Sequence, residues 1–210
     1  MATPLEPEDF RQITNVSRET LGRLSQYADL LAKWQRRINL VGRDTLDDLW
    51  RRHMLDSAQL WRLIGRDVSS VVDIGSGAGF PGLVLSILAE QRGLGVALVE
   101  SDQRKCAFLN EVIRQTGAKA QVFNVRLEQA SLPAADIVTA RACARLPKLL
   151  DYAHGILKPG GVALILKGAR VDEELTEAGK DWTMTIVRHT SLSDPSGTIL
   201  ELRNVQRVIG

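Results

Sequence analysis

A glycine-rich turn between a strand pattern and a helix pattern constrains this chain more than any other feature. Residues 71–83 read VVDIGSGAGFPGL, with glycines at the alternate positions Gly75, Gly77 and Gly79. The short apolar run before the turn predicts a buried strand, and the apolar residues 83–88 predict the start of a helix. In an open α/β sheet, a strand followed by a tight glycine turn and a helix N-terminus forms a site for a nucleotide-like ligand.

Strand and helix patterns alternate from Val71 onward. Predicted strands lie at 71–74, 95–100, 119–124, 135–140 and 162–167, and predicted helices lie at 80–91, 103–116, 145–157 and about 171–178. We expect a tight turn at 158–161 and a hairpin made of strands near 183–190 and 197–203. These elements predict an α/β, doubly wound, Rossmann-like sheet, and a terminal antiparallel hairpin beside the fifth strand is, by analogy, the arrangement of class I methyltransferases.

Residues 1–66 predict a helical extension packed on the core domain, which spans 67–210. We expect a short helix near 8–13, a long helix capped by Ser17 that runs to about 38, and a further helix from about 45 to 64. His53 and Ser57 fall on the apolar stripe of this further helix, and Asp56 lies near its edge. Either these are hydrogen-bonded interior side chains, or they form a cluster that holds the extension against the ligand site.

Composition argues against several classes of protein. The formal net charge is only +2, so the chain is not a strongly basic domain. There is no run of 18 apolar residues and no apolar segment of a secretory signal, so we expect a cytoplasmic protein without membrane contact. Cys106 and Cys143 lack metal-ligand spacing, so we expect two reduced, buried thiols and no metal. Nothing in the sequence demands more than a monomer.

Three details around the glycine turn narrow the ligand to S-adenosylmethionine. Phe80 stands where the dinucleotide fingerprint has its third glycine. The carboxylate of Asp73 suits an ammonium and a sulfonium better than a pyrophosphate. Glu100 ends the second strand, where it can accept hydrogen bonds from both ribose hydroxyls, while Leu127 and Glu128 are placed to border the adenine. The alternative is that the glycines only permit a close turn and that the acids are ordinary strand-end residues.

Several longer motifs point to one family. They are KWQRRINL at 33–40, RRHMLDS at 51–57, DIGSGAGFPGL at 73–83, VESDQRKCAFLNEV at 99–112, RLE at 126–128, TARACARL at 139–146 and LKG at 166–168. Over nearly its whole length the chain therefore resembles the RsmG family, also called GidB. The glycine segment with Phe80-Pro81-Gly82 is much more specific than a generic methyltransferase turn.

The resemblance implies a bacterial enzyme that methylates the 7-nitrogen of one guanine in 16S rRNA near the decoding site. Its cofactor is S-adenosylmethionine, its product S-adenosylhomocysteine, and its partner 16S rRNA or a small-subunit ribosomal particle. The chain departs from the family at Val41-Gly42 and in the loosely similar segment 197–210, and neither departure touches the cofactor motifs. The complete set of predicted cofactor-binding residues is Asp73, Gly75, Gly77, Gly79, Phe80, Glu100, Leu127, Glu128 and Arg141.

The implied chemistry needs no acid or base, because the 7-nitrogen of guanine has an in-plane lone pair and no proton. Catalysis would come from in-line alignment and electrostatic placement, with Arg141 and Lys167 as positioning candidates. For Arg141 we favour the methionine carboxylate or a phosphate, because bonding to the guanine edge would block the attacking lone pair. RNA-binding candidates are the N-terminal basic patch of Lys33, Arg36, Arg37, Arg43, Arg51 and Arg52, together with Arg126, Arg145 and Lys167 near the strand ends.

Three alternatives stay open at this stage. A dinucleotide-dependent oxidoreductase would share the turn, although Asp73 and Phe80 argue against it. A non-catalytic RNA-binding module could retain a methyltransferase fold. A methyltransferase for a protein or a small molecule is excluded only by the family resemblance, since a fold alone does not determine a substrate.

Overall fold

A computed structural model of the chain describes residues 3–89 and 92–208. Its centre is a seven-stranded sheet in the order β3-β2-β1-β4-β5-β7-β6. Strands β1 to β5 are parallel, and β7 runs antiparallel to both β5 and β6. The strands are β1 (Ser70–Ile74), β2 (Gly95–Glu100), β3 (Ala120–Asn124), β4 (Ala135–Arg141), β5 (Leu157–Lys167), β6 (Trp182–Thr190) and β7 (Thr198–Arg207). The predicted fold class is confirmed, with the hairpin beside the fifth strand.

Helices cover both faces of the sheet, as its apolar strands require. The helices of the extension are α1 (Pro7–Thr14), α2 (Arg18–Gln35) and the single turn α3 (Asp56–Ala58). Those that follow the strands are α4 (Gly82–Leu88), α5 (Gln103–Thr116), α6 (Leu146–Ile156) and α7 (Val171–Ala178). The extension shares one apolar core with α4 and α5, whereas α6 and α7 cover a second core on the opposite face. Tyr27 and Trp34 of α2 contact Phe108 of α5 within the first core.

Two predicted boundaries in the sheet domain are corrected. The tight turn expected at 158–161 lies inside β5, because Leu157 already pairs with Ala135 and the register shifts before Ile137. Gly160 absorbs this irregularity with a φ of +77°. Helix α4 begins at Gly82 rather than at residue 80, because Phe80 and Pro81 still belong to the turn. The predicted end of that helix, at residues 90 and 91, lies outside the described residues.

The helix predicted from about 45 to 64 is confirmed only over 50–63, and there it is not a regular α-helix. The segment instead contains a 3₁₀ turn at Arg43–Thr45, a π-helical stretch at Trp50–Leu55, the turn α3 and a 3₁₀ stretch at Gln59–Leu63. Its polar side chains compete with the regular backbone ladder, since the Ser57 hydroxyl donates to the His53 carbonyl and the Gln59 amide donates to the Asp56 carbonyl. π-helical turns, such as the one at Trp50–Leu55, are frequent at functional sites.

The two cysteines differ in exposure. Cys106 is buried, as expected, but Cys143 is exposed and lines a cleft, so its predicted burial is wrong. The reason is that Cys143 follows β4 in the loop that forms the cleft floor, rather than lying in a strand or helix. Among the described residues, no helix is long and apolar enough to cross a membrane.

Candidate active site

A cleft of about 1290 Å³ opens at the carboxyl ends of the parallel strands. Its floor is formed by the glycine turn after β1, the end of β2 and the loops that follow β3, β4 and β5. One side is supplied by residues of the extension between 40 and 56, and the adjoining rim by residues of the β6–β7 segment between 191 and 198. The location is the expected ligand position in a doubly wound sheet.

The glycines of the turn have separate structural requirements. Gly75 has a φ of +66°, and an added β-carbon would lie 2.4 Å from the β-carbon of Cys143. Gly79 has a φ of +96°, and a β-carbon there would lie 2.7 Å from the hydroxyl of Tyr27. Gly77, with a φ of +57°, borders the cleft, and its β-carbon would meet only the Gly75 carbonyl at 3.8 Å. Open space therefore lies over Gly77, where a ligand can approach the backbone.

Asp73 lies beneath the turn and is fully buried. Its Oδ1 accepts from the Thr139 hydroxyl at 2.8 Å, and its Oδ2 accepts from the Gly82 amide at 3.2 Å. Burial raises the pKa of this carboxyl to about 6, although these hydrogen bonds favour its charged form. Asp73 does not line the cleft, so its contribution in the described structure is to hold the turn against β4 and α4.

Glu100 connects the turn to the end of β2. Its Oε2 accepts from the Gly77 amide at 2.9 Å, while its Oε1 accepts from the amides of Ser101 at 2.7 Å and Asp102 at 2.8 Å. The side chain lines the cleft although the residue is only 9% exposed. These bonds fix the carboxylate at the cleft edge. Oε1 already accepts two hydrogen bonds, whereas Oε2 accepts one and retains acceptor capacity.

Phe80 is the centre of an aromatic stack that joins the extension to the turn. Its ring lies 5.1 Å from that of Tyr27 and 4.9 Å from the imidazole of His53, and both pairs are stacked. The Arg141 guanidinium carbon lies 5.0 Å from the Phe80 ring centre. The Tyr27 hydroxyl also donates to the Ala78 carbonyl within the turn. Phe80 is 3% exposed, so it serves mainly as a packing surface for groups that line the cleft.

Arg141 ends β4 and is held by the extension. Its Nη1 donates to the Arg52 carbonyl at 3.0 Å and to Asp56 Oδ2 at 3.2 Å. Its Nη2 donates to His53 Nδ1 at 2.8 Å. The side chains of Arg141 and Asp56 are each 17% exposed, so this ion pair is only partly screened by water.

His53 is buried beside this pair and is uncharged. Burial and then the neighbouring Arg141 lower the pKa of its imidazole to about 3. Its Nε2 lies 2.7 Å from the Thr45 hydroxyl oxygen. Of the two interpretations that the sequence left open, the geometry agrees with the cluster, because His53 contacts both the extension and the end of β4.

The same cluster continues into the β6–β7 loop. Asp56 Oδ1 accepts from the Ser193 hydroxyl at 2.5 Å, and the Gln59 amide donates to Ser191 Oγ at 3.1 Å. The Leu192 amide donates to the Gln59 side-chain oxygen at 2.7 Å. Closer to the solvent, Arg52 and Asp194 form an ion pair at 2.7 Å. The polar network, which we define as His53, Asp56, Gln59, Arg141, Ser191 and Ser193, joins three distant segments of the chain.

The adenine-loop candidates lie at the other end of the cleft. Leu127 and Glu128 both line it, and Leu127 is half-buried. Glu128 is exposed and accepts from the Tyr152 hydroxyl and, at 2.9 Å, from Lys148. These two bonds, Tyr152 first, lower the pKa of the Glu128 carboxyl to about 2. A ligand amine at Glu128 would therefore share the carboxylate with Lys148 and Tyr152.

Lys167 lines the cleft but is already engaged. Its ammonium lies 2.7 Å from Glu174 Oε2 and donates to the Ala144 carbonyl at 3.0 Å, with a side chain that is 8% exposed. The Glu174 carboxylate also accepts from the Leu146 amide at 2.7 Å. Lys167 thus supports the loop after β4, and its positioning and RNA-binding roles stay predictions.

The predicted RNA-binding cations fall into two groups. Arg52, Arg126, Arg145 and Lys167 line the cleft, together with Lys105, Lys148 and Arg170, which the sequence interpretation missed. Lys33, Arg36, Arg37 and Arg51 do not line it. Arg51 pairs with Asp48 at 2.9 Å. Arg36 borders a separate groove that is lined by α2 and by residues from the segments 4–7 and 43–50. The structure therefore brings only Arg52 of the N-terminal basic patch together with the strand-end cations.

Other residues of the site were also missed, each for a physical reason. Tyr27 gave only an apolar signal on a helix, and Thr139 is a single polar residue within a strand. Cys143 follows β4 and contacts Gly75, which no spacing in the sequence indicates. Ser193 lies 137 residues from its partner Asp56. Only the TARACARL motif at 139–146 could have indicated any of them, since it contains Thr139 and Cys143 beside Arg141.

Comparison with sequence relatives shows the family to which the chain is similar. The family model of GidB, described as rRNA small subunit methyltransferase G, matches residues 20–202. The ribosomal RNA small subunit methyltransferase G of Paramagnetospirillum magneticum is 54% identical over 201 residues, which cover 96% of this chain and 97% of that protein. The protein of the same name from Rhodospirillum rubrum is 50% identical over 203 residues, with coverages of 97% and 100%.

Comparison with solved structures gives the same fold. A SAM-dependent methyltransferase from Aquifex aeolicus superposes with a TM-score of 0.58 at 17% identity, covering 76% of this chain and 95% of that chain. TYW2 of M. jannaschii, solved in complex with AdoMet, superposes with a TM-score of 0.56 at 16% identity, covering 82% of this chain and 80% of that chain. At these identities the likeness shows the shared fold alone.

Proposed function

The chain belongs to the rRNA small subunit methyltransferase G family, and on that premise we propose that it methylates the 7-nitrogen of one guanine in bacterial 16S rRNA, near the decoding site. Membership confirms the family that the sequence motifs indicated. The relatives and the fold support the coarser statement that it is a SAM-dependent rRNA small subunit methyltransferase. The observation that carries the proposal is the combination of family membership with a cleft built on the glycine turn and Glu100.

The residues present fit S-adenosylmethionine. The space over Gly77 leaves room for a ligand against the backbone, and Oε2 of the fixed Glu100 carboxylate can accept a further hydrogen bond from a ribose hydroxyl. Leu127 supplies an apolar surface and Glu128 an acceptor at the far end of the cleft. Gly75, Gly79, Phe80 and Asp73 contribute indirectly, since they shape and support the turn. We propose all of these as the cofactor site, with Arg141 at its opposite end.

The chemistry asks the protein for placement rather than proton transfer. When bound, S-adenosylmethionine supplies an electrophilic methyl group on its sulfonium. The guanine 7-nitrogen carries a lone pair and no proton, so no side chain has to remove one. The residues of this chain therefore bind, orient and exclude water, which is a sufficient source of rate for two correctly aligned reactants.

Arg141 is the residue that we propose to bind an anionic group in the cleft. Arg141 lines the cleft between Phe80 and the loop after β4, and Asp56 balances its charge only in part through a 3.2 Å contact. A methionine carboxylate or an RNA phosphate suits a planar guanidinium. Lys167 is proposed as a positioning residue only through the Ala144 carbonyl that it holds.

Docking of the rRNA is proposed to begin with the cleft cations. Arg126 and Arg145 are exposed at the cleft, and Arg52 is exposed at its rim. Phosphate contacts of this kind position the RNA without reading its sequence. We also propose that the chain divides into an extension at 1–66 and a domain at 67–210. The proposed protein is a monomer and is located in the cytoplasm.

The deciding experiment is methyl transfer to small-subunit RNA from a strain that lacks the corresponding gene. The purified chain and S-adenosylmethionine with a labelled methyl group should label one guanine, and chemical cleavage at 7-methylguanosine should map it. Running 30S subunits and deproteinised 16S rRNA in parallel identifies the preferred form of the substrate. The variant Glu100→Ala should abolish labelling, whereas His189→Asn, on the terminal hairpin, should not. Labelling of another nitrogen, or of no rRNA at all, contradicts the proposal.

A further inference from the structure

We propose that His53 is a positioning residue for Arg141, and that its Nδ1 lone pair orients the guanidinium toward the ligand. The inference rests on the proposed function, since it takes Arg141 as a residue that binds an anionic group in the cleft. It adds a role for the extension, which supplies His53 from the π-helical stretch Trp50–Leu55.

The position of the imidazole proton follows from two separate hydrogen bonds. An arginine guanidinium can only donate, so the contact of 2.8 Å to Arg141 Nη2 requires an unprotonated Nδ1 on His53. On the other side, the Thr45 hydroxyl donates its only proton to the Gly42 carbonyl at 2.6 Å. Thr45 Oγ1 must therefore accept from Nε2 of His53, which lies 2.7 Å away. Both bonds specify the neutral imidazole with its proton on Nε2.

The surroundings of His53 keep it in this state and place. The residue is 5% exposed, and its ring stacks on Phe80 at 4.9 Å. The charged groups that face it are Arg141 and Arg52, which both disfavour a second positive charge, and Asp56, which instead pairs with Arg141. The imidazole thus has an acceptor fixed toward Arg141 and a ring plane fixed by Phe80.

The hydrogen bonds of Arg141 show what such orientation achieves. Three of its five N–H groups are used by the extension, through the Arg52 carbonyl, Asp56 and His53. Among the described residues, the Nε–H and one Nη2–H have no partner. Because Arg141 lines the cleft, these two donors are the ones left for a carboxylate or a phosphate. Without His53 the guanidinium would retain its charge and its two Nη1 contacts but lose the one contact that holds Nη2.

A double-mutant cycle tests whether His53 acts through Arg141. The variants are His53→Ala, Arg141→Ala and the double variant, each measured for the Kd of S-adenosylmethionine and for the kcat and KM of rRNA methylation. We expect His53→Ala to impair the same property as Arg141→Ala, either cofactor affinity or the rate of rRNA methylation. The expected loss is about tenfold, which corresponds to one hydrogen bond to a charged group. In the Arg141→Ala background the further loss should be under about twofold, because the interaction is already absent.

Conservative variants separate orientation from packing. His53→Asn keeps an acceptor near the Nδ1 position and should recover most of the loss. Thr45→Val leaves the imidazole in place but removes the acceptor for Nε2–H, so the proton can move to Nδ1 and oppose Arg141. We expect a several-fold loss in the same parameter for Thr45→Val. His189→Asn is the matched control, since His189 pairs with Glu201 on the terminal hairpin.

The outcomes distinguish this inference from the proposed function. Losses that multiply in the double variant, or a His53→Asn variant as impaired as His53→Ala, overturn the role of His53 alone. A silent Arg141→Ala overturns both the role of Arg141 and this inference. If rRNA is not methylated but the cycle shows coupling in cofactor affinity, the substrate proposal fails and the inference stands. The nitrogen-15 spectrum of His53 supplies a check in the wild type, and a protonated Nδ1 at neutral pH contradicts the inference.

Discussion

The two sides of the cleft are built on different principles. The cofactor side, as we propose it, is mostly backbone, because the glycine turn brings the main chain at Gly75 and Gly77 to the cleft and Glu100 is fixed by three amide donors. The side toward the extension is mostly side chain, because His53 and Asp56 reach partners that lie far away in the sequence. The first is specified by local residue types, whereas the second exists only after the whole chain has folded.

This contrast predicts different sensitivities to mutation. Backbone that must adopt a positive φ against a neighbouring residue tolerates no side chain, so a single methyl group is costly there. A polar network has several members, so the loss of one weakens it in steps, unless a charge is left without its partner. Predictions that compare the two sides therefore test the interpretation of the site.

The largest effect is expected for Gly75→Ala. The new β-carbon would lie 2.4 Å from that of Cys143, in addition to the strain of a φ of +66°. The turn has to shift, and we expect S-adenosylmethionine affinity to fall by about a hundredfold or more, as strain and overpacking of several kcal/mol imply. Isothermal titration calorimetry would measure it. Gly22→Ala, in helix α2 with no atom within 4 Å of the added β-carbon, is the matched control and should bind normally.

A second-site change sharpens this prediction. Replacing Cys143 with glycine in the Gly75→Ala background removes the clash but leaves the φ strain. Part of the affinity should therefore return, and the remaining deficit measures the cost of the backbone conformation. If the double variant binds no better than Gly75→Ala alone, the contact with Cys143 is not the cause of the defect.

The sequence predicted the strands and helices around the glycine turn well and the polar network poorly, for the same physical reason. Alternating strands and helices, the glycine spacing and the position of Glu100 are local patterns, so β2 and α5 were predicted residue for residue. The irregular turns at 43–63 depend on polar partners supplied by other segments, such as Ser193. An amphipathic pattern alone favours a regular helix there, which is what the sequence predicted.

Asp73 shows the limit on the cofactor side itself. Its place two residues before Gly75 indicated a carboxylate that faces the ligand. In the structure both of its oxygens are instead bonded within the protein, to the Thr139 hydroxyl and the Gly82 amide. Residue spacing gives the distance along a strand, but it does not tell which atoms will surround a side chain.

The next largest effect is a loss of folding stability at acid pH, which we expect His53 to cause. Its pKa is about 3 in the folded protein, against 6.5 as the ordinary value, so the stability it contributes is present above pH 6.5 and is lost as the pH falls toward 3. Between pH 7 and pH 5 this amounts to about 2 kcal/mol. Urea unfolding at both pH values should show that the unfolding free energy of the wild type falls by this amount more than that of His53→Asn. An equal change in unfolding free energy for the two proteins would show that His53 is protonated as readily in the folded chain as in the unfolded chain.

A smaller effect of opposite sign is expected from Asp73. Burial raises its folded pKa to about 6 from 3.8, so its favourable contribution is present below pH 3.8 and is lost as the pH rises through 6. From pH 5 to pH 7 the wild type should lose about 1 kcal/mol through this group. Asp73→Asn cannot ionise, so its unfolding free energy should lack this decline. A variant whose pH profile matches that of the wild type would place the Asp73 pKa near its usual value.

The smallest effect is expected for Arg36 and Arg37 of the N-terminal basic patch, which do not line the cleft. The double reversal Arg36→Glu and Arg37→Glu should weaken rRNA binding several-fold at low salt and reduce the slope of log affinity against log salt by about 2 if both residues contact phosphates. Cofactor affinity should not change, since neither residue lines the cleft. The matched variant is Arg126→Glu, which alters an exposed cation at the cleft itself.

The two variants together decide where the RNA lies. If Arg126→Glu weakens rRNA binding and the patch reversal does not, the RNA contacts the strand ends and the extension acts only through the polar network. Equal losses would extend the RNA footprint along α2. A loss from the patch reversal alone would separate RNA docking from the cleft cations, and it would contradict the proposal that docking begins with them.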